Sequence, residues 1–144
     1  TSIGVDMILF SSMYHGGLMA NYWAYSCRTY MIGAISGLEN YIISPIGEKA
    51  ASSTNYFHFL TETINLDYRV IHLAYNREKI WEMKQKYGSK VKMTDPGFLG
   101  AVLISSETEE FTINDIIEEF NIEDLDAYLK RAENHRNESL VHSR

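Results

Sequence analysis

Residues 40–79, NYIISPIGEKAASSTNYFHFLTETINLDYRVIHLAYNREK, hold most of what the chain says about its fold. Two short apolar runs, 41–44 and 49–54, flank Pro45-Ile46-Gly47-Glu48. A proline followed two residues later by glycine suits a type II turn, because glycine tolerates φ > 0. The expectation is an antiparallel hairpin. Residues 57–67 continue with partial alternation, Phe57, Phe59 and Thr61 against His58, Leu60 and Glu62, which reads as a half-buried strand. Residues 70–73 read as a short extended connection. Asn76 is a good N-cap for a helix over 77–87, and Gly88 is a natural residue just past its end. Ile80, Met83 and Tyr87 make the apolar stripe of that helix, and Glu82 with Lys86 is a favourable i,i+4 pair.

Working upstream, VDMILFSS (5–12) has the length of a buried strand, and Tyr14-His15-Gly16-Gly17 breaks it. Residues 18–30 then place Met19, Trp23, Cys27 and Tyr30 on one helical stripe, and 31–36 read as another buried strand. Thr1 is not an initiator methionine, and no basic and apolar leader follows it. The first residues read as a junction already inside a fold, so a processed or truncated chain is expected.

Downstream, Asp95-Pro96-Gly97 is a loop and 100–106 a final strand. Thr112 with Asp115 resembles a capping box, and Ile113, Ile116, Ile117 and Phe120 follow at helical spacing. Asn121 with Asp124 repeats the arrangement ahead of Leu125 and Leu129. From Arg131 the pattern fades into a polar, frayed terminus. Two domains follow from this reading: a mixed α/β (α+β) body over 1–106 and an acidic helical extension over 107–144.

Charge separates the same two segments. Residues 1–106 carry 9 Lys/Arg against 8 Asp/Glu, and residues 107–144 carry 4 against 11. Nucleic-acid binding depends on neutralising phosphates with Lys and Arg, so this balance disfavours a nucleic-acid partner. No apolar run approaches the ~20 residues of a membrane span. The single cysteine excludes an internal disulfide framework and suits a reducing compartment, so a cytoplasmic location is expected. Asn137-Glu138-Ser139 is a formal glycosylation sequon with nothing beside it to suggest secretion.

Several of these segments, in this order, carry a family likeness. GVDMILFSS, the aromatic-Gly-Gly loop and the Trp23 helix resemble the segment after the nucleophile elbow of carbon–nitrogen hydrolases, the nitrilase/amidase superfamily. Arg28 matches the arginine that the family carries on this helix. Ser44, Pro45, Gly47 and Glu48 resemble the family's late hairpin, and 64–80 the strand and return helix that follow it.

The resemblance covers essentially the whole chain and implies the C-terminal half of a four-layer αββα sandwich. It further implies hydrolysis of a small amide or nitrile by a Cys, a Glu and a Lys. No position here matches those three motifs, so no catalytic residue is assigned and the chain alone is expected to be inactive. The implied partners are the missing N-terminal half or another subunit of a homo-oligomer, met through the C-terminal helices. The alternative is a non-catalytic binding or oligomerisation module that keeps the scaffold.

Tyr14 and His15 are the candidate substrate-pocket residues. They lie just past the C-terminal end of a strand in a glycine-bearing loop, where pockets of layered α/β folds commonly form. The plainer reading is a turn with incidental aromatics. Cys27 falls on the apolar stripe of its helix and reads as a packed core thiol rather than a nucleophile. His58 and His72 have no nearby third ligand, so structural roles outweigh metal binding, and no metal or cofactor is expected. His135 and His142 read as solvated. Glu39 and Glu62 have nothing in the sequence to bring them together as an acid–base pair.

Overall fold

The structure, a computed structural model, describes residues 4–141, so the readings placed on Thr1 and His142 lie outside the described residues. The described residues form a mixed α+β protein with two small sheets and four α-helices. Contacts divide the chain into two compact units, one up to Leu66 and one from Asp67. The acidic segment from residue 107 therefore packs in the same unit as residues 67–106.

In the first unit the sheet runs β1 (Met7–Ser12), β2 (Tyr30–Ile35), β3 (Tyr41–Ile43), β4 (Lys49–Ser52), in that spatial order. β1 and β2 are parallel and are joined through helix α1 (Gly17–Cys27), while the later pairs are antiparallel. Side chains alternate across a strand, so the register puts Ile8, Phe10, Met31, Ile35, Tyr41 and Ile43 on one face. That face packs on Ala20 and Ala24 of α1. The buried stripe of α1 is thus made of alanines four apart. Met19 and Trp23, expected inside, are exposed. Small residues let the helix lie close to the sheet, which leaves the larger ones pointing away.

The helix also ends earlier than expected. Arg28 adopts the left-handed conformation (φ 54°), and the amides of Arg28 and Thr29 donate to the carbonyls of Tyr25 and Ala24. This closes the helix at Cys27 and releases Tyr30 into β2. Cys27 is consequently exposed at a helix end, not packed in the core.

The hairpin β3–β4 forms as expected, with a different turn. The Gly47 amide donates to the Ser44 carbonyl, and the Ser44 amide donates to the Glu48 carbonyl. The positive φ falls on Gly47 (77°) and not on Ile46, which makes this a type I turn closed by a glycine bulge. A Cβ on Gly47 would stand 3.2 Å from the Asn21 carbonyl oxygen, so α1 also demands glycine here. Residues 57–66 form no strand. Tyr56, Phe57 and Phe59 are exposed, and Phe57 and Phe59 meet edge to face. Weak alternation built on aromatics did not secure a partner strand.

In the second unit β7 (Ala101–Ser106) is central, with β5 (Tyr68–His72) and β6 (Val91–Thr94) antiparallel on either side. The segment expected as a connection is therefore an edge strand, and β6 had no reading of its own. Helix α2 (Arg77–Tyr87) and helix α3 (Ile113–Glu119) supply Ile80, Met83, Ile113 and Ile116 to a core with Ile71, Val91, Val102 and Ile104. Each fully buried isoleucine contributes about 1.5–3 kcal/mol relative to an exposed one.

Thr112 and Asp115 form the complete capping box of α3. The last helix, α4 (Leu125–Val141), is capped by Asp124, whose carboxylate accepts from the Ala127 amide at 2.7 Å. Asn121 instead sits at positive φ (48°) just past α3. α4 continues well beyond Arg131, yet Leu125 is its only buried residue.

Candidate functional site

Two parallel strands joined by a helix create a crevice at their carboxyl ends, because the chain leaves both strands on the same side. In the first unit that position holds an open concavity of about 550 Å³ lined by Ser11, Ser12, Met13, Ala34, Ile35, Ser36 and Asn40. Its floor is the end of the β1–β2 pair, extended by the Ser36 amide donating to the Ser12 carbonyl.

Asn40 holds the wall. Its Oδ1 accepts from the Ile35 amide at 2.7 Å, and its Nδ2 donates to the His58 carbonyl at 2.7 Å. Its backbone is tied to Ser53 through the Ser53 Oγ and the Ser53 amide. The amide side chain is therefore committed to the protein. Ser11, Ser12 and Ser36 also line the space, and Ser12 Oγ accepts from the Tyr14 amide.

Tyr14 and His15 do not line the concavity. They stand in the loop that leaves it, next to Met13, which does. The Tyr14 side chain is exposed. His15 is fixed: its carbonyl accepts from Tyr41 Oη at 2.8 Å, and its ring lies edge-on to the Tyr41 ring at 5.1 Å. Its Nε2 is 3.9 Å from Glu39 Oε2. Glu39 in turn accepts from Lys49 Nζ through both oxygens at 2.9 Å. The Lys49 hydrogen bond, followed by one from Ser52, holds the Glu39 carboxyl below the usual carboxylate range. Burial pushes the Tyr41 phenol up.

A carboxylate so paired is a poor general base, because its lone pairs are engaged and its proton affinity is reduced. His15, Glu39 and Lys49 therefore form a polar cluster beside the concavity in which the lysine holds the carboxylate. Sequence reasoning singled out His15 but missed its partners, since only the β2–β3 pairing brings residue 39 back to residue 15.

The chain's cysteine does not face this region. Cys27 is at the far end of α1 from the loop, roughly 15 Å away at 1.5 Å per residue. Arg28 is also at that far end. Its guanidinium lies 4.5 Å from the Tyr25 ring centre and donates to the Tyr25 carbonyl. His72 stacks on Tyr128 with ring centres 3.8 Å apart, and its Nδ1 accepts from the Ala74 amide. The His58 carbonyl serves Asn40. Among the described residues no group of three His, Cys, Asp or Glu side chains could hold a metal ion. None of the described helices is long and apolar enough to cross a membrane.

Fold and site together define a mixed α+β protein with a shallow, serine-lined crevice at the end of a parallel strand pair. Compared with family models, curated proteins and solved structures, the chain has no match in any of the three.

Proposed function

We propose that this chain is the C-terminal part of a carbon–nitrogen hydrolase acting on a small amide or nitrile, with its Cys, Glu and Lys supplied from outside the 144 residues. One observation carries the reading. β1 is the edge of its sheet and its neighbour β2 is parallel to it, so the crevice at their carboxyl ends has only one side built. The edge strand β1 carries no charged residue, and Leu9 is largely exposed on the sheet face turned away from α1. Natural edge strands are usually blunted by charge, proline or bulges, and this one is not. A further strand beside β1 would complete the crevice and bring a nucleophile to the serine-lined wall. His15 and Tyr14 would then form the rim of a substrate pocket, within a four-layer αββα sandwich. The setting would be cytoplasmic, in keeping with the single, exposed Cys27.

The test is hydrolysis of small amides and nitriles, by the chain alone and by the chain joined to whatever coding sequence precedes it. The reading expects no turnover from the chain alone, and turnover from the joined protein that is lost when an upstream cysteine is replaced. Turnover by the chain alone that disappears in Cys27→Ser would overturn it. A second reading, a non-catalytic assembly module, is favoured by the commitment of Asn40, Glu39 and Lys49 to internal bonds. An upstream sequence without a cysteine-bearing strand would select that reading.

A further inference from the structure

Residues 53–59 leave β4 as an arm that is tied to the protein by its backbone and yet keeps its rings in solvent. The Asn40 amide donates to Ser53 Oγ at 2.9 Å, and the Ser53 amide donates to the Asn40 carbonyl at 2.9 Å. Thr54 Oγ1 accepts from the amides of Tyr56 and Phe57 at 3.2 and 3.3 Å. The Asn40 side chain, part of the crevice wall, donates to the His58 carbonyl at 2.7 Å. That bond places Phe57 and Phe59 on either side of a residue in contact with the wall. Their rings meet edge to face with centres 5.6 Å apart, and they are 60% and 72% exposed.

We propose that Phe57 and Phe59 determine the specificity of the crevice by stacking on an uncharged aryl group of the ligand it takes. Burial does not explain these two rings, since most of their surface is wet. A tethered backbone that presents exposed rings has little freedom left to lose when a ligand binds, so the contact is preorganised.

The chemistry of the surface names the ligand. Residues 50–61 contain no Lys, Arg, Asp or Glu, and none lines the crevice. A charged group brought here would lose water and meet no counter-charge among these residues. A flat ring gains the offset or edge contact that aromatic pairs favour beyond the area they bury. That the aryl group belongs to an amide or nitrile rests on the hydrolase reading. The preference for a ring rests on the arm alone.

Titration of the full chain with benzamide and cyclohexanecarboxamide, followed by NMR, tests it. Benzamide should shift the amide signals of Asn40 and Phe59 and bind roughly 2–10-fold more tightly than cyclohexanecarboxamide, the margin an aromatic pair adds beyond area. Phe57→Leu with Phe59→Leu should abolish that margin with an unchanged circular-dichroism spectrum, because both side chains are largely exposed. Phe57→Tyr with Phe59→Tyr keeps the rings and should keep the margin. Benzamide that leaves Asn40 and Phe59 unshifted overturns the proposal, as does a leucine variant that keeps the margin or a tyrosine variant that loses it. Turnover of acetamide by the chain joined to its upstream coding sequence, without benzamide binding, would sink this inference and leave the hydrolase reading standing. Benzamide binding without turnover by the joined protein would do the reverse.

Discussion

The Tyr41 hydroxyl donates to the His15 carbonyl at 2.8 Å while its ring lies over Gly33, where a Cβ would stand 2.3 Å from the ring carbon Cζ. One side chain thus links the middle of the sheet to the loop that leaves the crevice. Gly33 and Tyr41 are direct cross-strand partners, and the bare glycine makes room for the ring.

Tyr41→Phe keeps the ring and removes the donor, so it should cost about 0.5–1.5 kcal/mol in urea unfolding. Gly33→Ala should cost more, about 1–3 kcal/mol, by overpacking. The two sites should couple: in a Tyr41→Ala background, Gly33→Ala should be much less harmful. Additive losses would show that the ring does not occupy the space above residue 33.

Asn76 holds the second unit together from a buried position. Its Nδ2 donates to the carbonyls of His72 and Glu123, and its Oδ1 accepts from the Glu123 amide. Asn76→Ala leaves those three groups without their partner and should cost about 2–4 kcal/mol, since unmade buried hydrogen bonds carry the full desolvation penalty. Asn76→Asp, which accepts but cannot donate, should recover little. A loss within experimental error of wild type in Asn76→Ala would refute this role.

Thr112→Ala removes the side-chain cap of α3 and should cost about 1 kcal/mol at neutral pH. The Asp115 carboxyl is held below its ordinary value first by the Thr112 amide and then by the Thr112 hydroxyl. Its folded value is depressed, so its contribution is complete above the unfolded value of about 3.9 and is lost as pH falls through the lower folded value. Urea unfolding across the acid range should show a shallower decline below about pH 4 in Asp115→Asn than in wild type. Identical slopes would remove Asp115 from the acid response.

Cys27 is exposed at the end of α1, so the folded protein should take up one equivalent of a thiol reagent without denaturant. Cys27→Ser should change stability by less than about 0.5 kcal/mol, as exposed substitutions do. A thiol that reacts only after unfolding would contradict its placement at the surface.

The sequence by itself determined the elements whose signals are local. Asn76 and Gly88 bracket α2 as expected, although the Asn76 side chain spans to Glu123 instead of capping its own helix. Thr112 and Asp115 cap α3 because a capping box is closed by residues three apart. The hairpin around Pro45-Ile46-Gly47 was legible for the same reason, down to the glycine though not the turn type.

Tertiary structure decided whatever depends on a distant partner. Residues 68–72 are a strand because β7, about thirty residues further along the chain, pairs along their whole length, a contact that no local pattern announces. β6 also pairs with β7 along its whole length, across the loop that joins the two strands. Residues 57–66, with the better strand-like alternation, found no such partner and stay outside the sheets. The face of α1 turned inward is set by how closely the helix approaches its sheet, which favours Ala20 and Ala24 over Met19 and Trp23. Likewise the cluster of His15, Glu39 and Lys49 assembles only after β2 has paired with β3 and β3 with β4. Short-range hydrogen bonds can be read from neighbouring letters; pairing and burial are settled only when remote segments compete for the same core.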